Sequence, residues 1–166
     1  MIRNARPEDA GKLAGIYNHY IHSTIITFET EPVTAADLAE RIQHIRSTGL
    51  PWLVAEEDGQ PVGYAYASPW RSRPAYRHSV EVTVYLDREA RGRGWGSLLY
   101  QQLFDALRSR SIRAAIGGIA LPNPASVTLH EKMGMRKVAH FNEVGYKFDR
   151  WIDVGYWQCL LDRNAP

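Results

Sequence analysis

The segment Arg91-Gly92-Arg93-Gly94-Trp95-Gly96 constrains this chain more than any other, because it joins a strand-like run, Ser79 to Leu86, to a strongly helical one, Leu98 to Arg108. Three glycines at alternate positions permit positive φ and close backbone approach, and the N-terminus of the following helix adds about half a positive charge. Such a loop turns main-chain N–H groups toward an anion, and a pyrophosphate suits it. The same spacing also describes a tight, solvated strand-to-helix turn, so the rest of the chain must decide between the two.

The chain has 166 residues, 45% of them hydrophobic, which fits one compact domain spanning 1–166. No apolar run approaches the roughly 20 residues needed to cross a bilayer, and Met1-Ile2-Arg3-Asn4 leads into polar sequence without an apolar signal core. A cytoplasmic protein with no membrane partner is therefore expected. The single cysteine, Cys159, lies in an apolar stretch and reads as a packing residue. A net charge of +2 is too small to make nucleic acid the main partner. No internal repeat or low-complexity linker divides the chain.

Ile2 to Arg6 reads as a strand ended by Pro7. Leu13, Ile16, Tyr17 and Tyr20 then recur at helical spacing, and Leu38, Ile42 and Ile45 form a second stripe with Thr34 as N-cap and Gly49 as terminator. Trp52 to Ala55 and Val62 to Ser68 flank the turn Glu57-Asp58-Gly59-Gln60 as a hairpin. Ser79 to Leu86 alternates Val80, Val82, Val84 and Leu86 on a core face with Glu81, Thr83 and Tyr85 on a face free for chemistry. Beyond the glycine loop, Trp95, Leu99, Leu103 and Leu107 mark an amphipathic helix, followed by a strand over Ile112 to Ala120 and a helix from Pro122-Asn123-Pro124 to Met133. Arg136 to Val144 and Tyr156 to Leu161 read as closing strands. The order predicts an α/β fold, a mixed sheet with helices on both faces, and a ligand where neighbouring strands part.

Several blocks carry a resemblance. Arg91, Gly94 and Gly96 meet the pyrophosphate motif of the Gcn5-related N-acetyltransferase superfamily: Arg or Gln, two residues, Gly, one residue, Gly or Ala. Phe28-Glu29 with Glu31-Pro32, Trp70-Arg71 with Arg73 and Ala75-Tyr76-Arg77, Val80-Glu81 with Thr83-Val84-Tyr85, and Pro122-Asn123 with Ser126 and Leu129-His130-Glu131 narrow the likeness. So do Gly145-Tyr146-Lys147-Phe148, Trp151 and Asp153-Val154-Gly155-Tyr156-Trp157-Gln158. The chain resembles the phosphinothricin acetyltransferase group, which also includes acetylases of methionine sulfone and methionine sulfoximine. That resemblance implies a mostly antiparallel mixed sheet splayed at the cofactor site, and acetyl-CoA as acetyl donor.

It further implies that Arg91, Gly92, Arg93, Gly94, Trp95, Gly96 and Ser97 hold the pyrophosphate, with the backbone of Val84, Tyr85 and Leu86 running beside the pantetheine arm like an added strand. Asn123, Ser126 and His130 share one face of the late helix, where the group places Asn123 against the cofactor; Lys132 is expected at its outer end. Asn123 before Pro124 also reads as a plain N-cap.

Attack of a neutral amine on a thioester requires a base. Glu81 is the candidate, on the strand leading to the loop, with its pKa expected to be raised among aromatics. The superfamily often has a tyrosine near the position of His130, so His130 stands either as donor to the departing thiolate or as helper of Glu81. The backbone N–H near Val84 is the expected oxyanion donor. Arg71, Ser72, Arg73 and Tyr76 are expected at the rim of the acceptor pocket, offering guanidinium forks to a carboxylate, phosphinate or sulfonyl group. Val82 and Thr83 line it beside Glu81, and Phe28 and Glu29 close it, Glu29 facing the substrate ammonium. The resemblance implies a homodimer, with Tyr146 to Trp151 as a pocket wall or subunit contact. No metal cluster is expected, since no His, Cys or Asp residues have ligand spacing.

The reading is an N-acetyltransferase acting on the α-amine of a small amino acid by direct transfer. The alternatives are acetylation of a protein N-terminus or lysine, and a non-catalytic CoA-binding sensor. A P-loop triphosphatase is excluded by the missing Lys-Ser/Thr.

Overall fold

A computed structural model describes residues 1–161; residues 162–166 of the expected 1–166 span lie outside the described residues. Strand β1 (Ile2–Asn4) leads through a 3₁₀ turn at Pro7–Asp9 into α1 (Ala10–Ser23) and α2 (Ala35–Ser47). Then come β2 (Trp52–Glu57), β3 (Gln60–Pro69), β4 (Ser79–Leu86), α3 (Trp95–Arg108), β5 (Ala114–Leu121), α4 (Pro124–Lys132), β6 (Arg136–Lys147) and β7 (Arg150–Leu160). The strands form one seven-stranded sheet in the order β1-β2-β3-β4-β5-β7-β6, antiparallel except for the parallel pair β4 and β5.

Local chemistry sets the elements. Thr34 caps α2 in a reciprocal box with Asp37, its Oγ1 accepting the Asp37 N–H while the Asp37 carboxylate accepts the Thr34 N–H. The β2–β3 turn places Asp58 and Gly59 at φ 49° and 76°, the mirror-image turn geometry that follows the strands' right-handed twist. Leu99, Leu103 and Leu107 of α3 are fully buried against Leu53, Ala65, Ala67, Val80 and Val82 on one sheet face. On the other face α1 and α2 bury Leu13, Ile16, Tyr17, Tyr20, Leu38, Ile42 and Ile45 over Trp52, Val54, Tyr64 and Tyr85. Tyr85 is thus core, so the second face of β4 is only partly free for chemistry; α1 covers its C-terminal half.

Two closing strands are longer than the sequence reading gave. They meet in a hairpin at Phe148 and Asp149, both at positive φ (52° and 56°), a turn with no glycine to signal it. Among the described residues no helix is long and apolar enough to cross a membrane.

Asp9 ties the chain's start to α1. Its carboxylate accepts from Arg3 Nη1 and Nη2, both at 2.8 Å, and from the Arg6 N–H at 2.7 Å. Burial pushes its pKa up, but these donors outweigh burial and hold it below the usual value. A depressed folded pKa contributes stability that is present above the unfolded value and lost as pH falls through the folded one. Asp9→Asn is therefore expected to cost about 1–3 kcal/mol at pH 7 and progressively less as pH falls below the unfolded carboxyl pKa, read from urea unfolding across that range.

Candidate active site

The β4–β5 pairing ends at Glu81 opposite Ile116. Beyond that point β4 stays paired to β3 through Leu86 while β5 stays paired to β7 through Leu121, so the two halves of the sheet part. Because the Asp87 N–H donates to Val62 across the β3 side, alternation turns the main-chain groups of Val82, Val84 and Leu86 toward the opening. Those of Leu86 are taken: the Tyr20 phenol donates to its carbonyl at 2.7 Å and accepts its N–H at 3.3 Å. Tyr20 thus engages the Leu86 groups, while Val82 and Val84 turn theirs to the opening.

The opening is a cleft of about 480 Å³. Glu81, Val82, Thr83, Val84 and Tyr85 form one wall, Gly118, Ile119, Ala120, Asn123, Ser126 and His130 the other. Ile26, Thr27, Phe28, Tyr100, Phe141, Val144, Val154 and Tyr156 also line it. Glu81 is half-buried there, and burial pushes its carboxyl pKa up against the opposing pull of Arg71.

His130 is buried, and a carbonyl fixes its tautomer. Its Nδ1–H donates to the Ser126 carbonyl at 2.7 Å, so Nε2 is the acceptor of the Tyr100 O–H at 3.1 Å. Burial lowers the imidazole pKa, outweighing the Ser126 bond. His130 is a neutral ring with both nitrogens engaged, and its partner Tyr100 also lines the cleft. Sequence reasoning missed Tyr100, which sits beside Leu99 in an apolar helix and carries no motif of its own. The ring fits because residue 117 is glycine: a Cβ there would lie 2.6 Å from His130 Cδ2 and Nε2. With both nitrogens bonded the ring cannot step aside, so Gly117→Ala is expected to destabilise the fold by about 1–3 kcal/mol, read from thermal unfolding.

At the far end, the glycine loop enters α3 through Gly92 and Gly94 at φ 73° and 86°. No side chain caps α3, so the N–H groups of Trp95, Gly96 and Ser97 have no intrahelical partner and point at the loop's mouth. A Cβ at Gly92 or Gly94 would meet no heavy atom within 4 Å, so the loop is uncrowded at both glycines. The arrangement fits a diphosphate. Arg93 instead pairs with Glu57 of the β2–β3 hairpin at 2.5 and 2.7 Å, and Arg91 lies 5.0 Å over the Tyr20 ring; both guanidiniums brace the loop. Asn123 caps α4, accepting the Ser126 N–H at 3.1 Å, and also lines the cleft, so its two readings coexist. Lys132 is exposed at the end of α4 and does not line the cleft.

The acceptor side departs further from expectation. Ser72, Arg73 and Tyr76 line a separate groove with Arg77 and Arg110, because Pro74 sets a 3₁₀ turn, Tyr76 N–H to Arg73 O at 3.0 Å, that folds this segment away. Arg71 lines that groove too, yet its charge reaches Glu81; it lies 4.8 Å over Trp70, which meets Tyr156 edge-on. Glu29 does not face the cleft. Its carboxylate takes both Arg41 nitrogens at 2.6 and 2.9 Å and the Tyr17 hydroxyl, leaving it committed rather than open to a substrate ammonium. Among the described residues no group of His, Cys, Asp and Glu is arranged to hold a metal.

Residues 2–155 match the Acetyltransferase (GNAT) domain family. The chain belongs to that family. It is 41% identical to the phosphinothricin N-acetyltransferase of Streptomyces coelicolor, over 96% of this chain and 95% of the relative. It is 34% identical to the L-methionine sulfoximine/L-methionine sulfone acetyltransferase of Salmonella typhimurium, over 99% and 96%. A GNAT phosphinothricin acetyltransferase from Sinorhizobium meliloti, solved in complex with acetyl-CoA, superposes with a TM-score of 0.94 at 34% identity, over 96% of this chain and 87% of that one.

Proposed function

We propose that this GNAT protein transfers acetyl from acetyl-CoA to the α-amine of a small acidic or oxidised-sulfur amino acid, of the kind named for its relatives, with Glu81 as base. The observation that carries the reading is the end of β4–β5 pairing at Glu81: the strands part beside a carboxyl of raised pKa, and β4 leads on to the glycine loop, where no side chain caps α3. Bound acetyl-CoA supplies an acyl carbon open to attack by a neutral amine.

The chain's own residues do the rest. Amides 95–97 hold the diphosphate, and Val82 and Val84 present an edge to the amide-bearing arm. Glu81 takes the proton of the incoming ammonium, directly or through one water. The Val84 N–H faces the opening and donates to an oxygen gaining charge, and the Tyr100 hydroxyl, which lines the cleft, gives its proton to the departing sulfur on turning from His130 Nε2 and regains one from solvent. Arg71, whose charge already acts on Glu81, is the guanidinium placed to attract the acceptor's acidic group.

The Phe28 ring seats against Gly145, leaving no room for a Cβ there, and its place in the cleft lining supports a small acceptor over a peptide. The whole described span acts as one domain. Exposed Val144, Tyr146, Phe148 and Trp151 on the β6–β7 hairpin support a homodimer, and one unpaired cysteine supports a cytoplasmic setting. Thiol release from acetyl-CoA, measured against free amino acids and short peptides, tests the reading. Turnover with glutamate-like acceptors or methionine sulfone is expected; turnover with peptides alone, or with none, contradicts it.

A further inference from the structure

The acceptor-side wall of the cleft is a stretch without regular structure, Ile26, Thr27 and Phe28, between α1 and α2. A segment of this kind holds a shape only if its polar groups are tied down, and here each tie can be followed. Lys147 reaches from β6, buried, and donates to the Thr27 carbonyl at 2.8 Å. The Tyr17 hydroxyl contacts both Thr27 Oγ1, at 2.7 Å, and the Glu29 carboxylate. A carboxylate only accepts, so Tyr17 gives its single proton to Glu29, and Thr27 must then donate to the Tyr17 oxygen. Glu29 in turn is clamped by the fork of Arg41 on α2.

The chain of bonds therefore runs Arg41, Glu29, Tyr17, Thr27, Lys147. It links two helices and the edge of the sheet through the wall itself. Its outer members, Arg41 and Glu29, are not among the residues lining the cleft. Tyr17 meets Tyr85 of β4 edge-on at 4.9 Å, so the same phenol also touches the strand that bears Glu81.

Resting on the transfer reading above, we infer that the Arg41–Glu29 pair, acting through Tyr17, is a positioning device that fixes the Thr27–Phe28 wall and thereby sets how tightly the amino-acid acceptor is held. Glu29 is a positioning residue here. It orders the wall and does not touch the amine. Its bidentate, partly shielded geometry suits that task, since a planar fork fixes direction as well as distance.

The test is Arg41→Met, which keeps a stem of similar length and removes the fork, alongside Tyr17→Phe, which deletes only the connecting hydroxyl. With acceptor and acetyl-CoA varied in turn, each variant is expected to raise the acceptor KM about tenfold, with KM for acetyl-CoA unchanged. Arg41→Lys, retaining the charge without the fork, is expected to recover part of the loss. Amide hydrogen exchange at residues 27–29 should quicken in Arg41→Met whether or not turnover is followed. An unchanged acceptor KM, or equal rises in both KM values, overturns the inference while leaving the transfer reading intact. Wild-type protein that acetylates no amino acid overturns the transfer reading instead, and amide exchange alone then decides whether the pair orders the wall.

Discussion

Glu81→Gln is expected to lower kcat/KM for the amine acceptor by about 10²–10⁴-fold, the usual worth of a general base, with affinity for coenzyme A unchanged. The substitution is nearly isosteric and removes only the ability to take a proton. Three features motivate that expectation. Glu81 is the last β4 residue paired to β5, its side chain lines the cleft, and burial raises its pKa above the ordinary 4.5. The sign of the pH dependence follows. The working form is the carboxylate, so the acceptor rate rises with pH through that raised pKa, and in Glu81→Gln this limb should vanish, leaving only the amine's own titration. Arg71 holds the pKa down, so Arg71→Gln should move the limb to higher pH. A coenzyme-binding sensor would be indifferent to Glu81→Gln, which separates the two classes in one set of initial rates.

The second large effect is expected at the other end of the cleft. Gly94→Val places a β-branched residue at φ 86°, where L residues cost about 1–2 kcal/mol, and adds two methyl groups to the loop that leads into amides 95–97. Each charge-assisted hydrogen bond lost to the diphosphate is worth about 1.5–3 kcal/mol, so KM for acetyl-CoA should rise at least about tenfold. The acceptor KM should change little. Unchanged cofactor kinetics would mean that the loop is only a strand-to-helix turn.

The element order and both helix-covered faces were legible because periodicity reports burial, and here burial is simple: Leu99, Leu103 and Leu107 on one side, Leu13, Ile16, Tyr17 and Tyr20 on the other. The β6–β7 hairpin was not, since Phe148 and Asp149 adopt positive φ without glycine and the strands run on through residues the alternation pattern does not mark. Glu81 was readable from its face of β4. Its neighbours were harder, because what a side chain does depends on partners far away in sequence. Glu29 looked free until Arg41 and Tyr17 were seen to claim it, and Arg73 and Tyr76 looked like pocket residues until Pro74 turned them aside. Likewise His130 read as a donor to the thiolate or a helper of Glu81, and its bonds to the Ser126 carbonyl and the Tyr100 hydroxyl, the latter thirty residues away, were not legible in the sequence.

The most direct trial of the account is a crystal structure of the protein grown with coenzyme A. The diphosphate should lie on the N–H groups of Trp95, Gly96 and Ser97, the pantetheine amides should pair with Val82 or Val84, and the sulfur should end in the cleft between Glu81 and Tyr100. A coenzyme bound elsewhere, or one whose sulfur points away from Glu81, would contradict it.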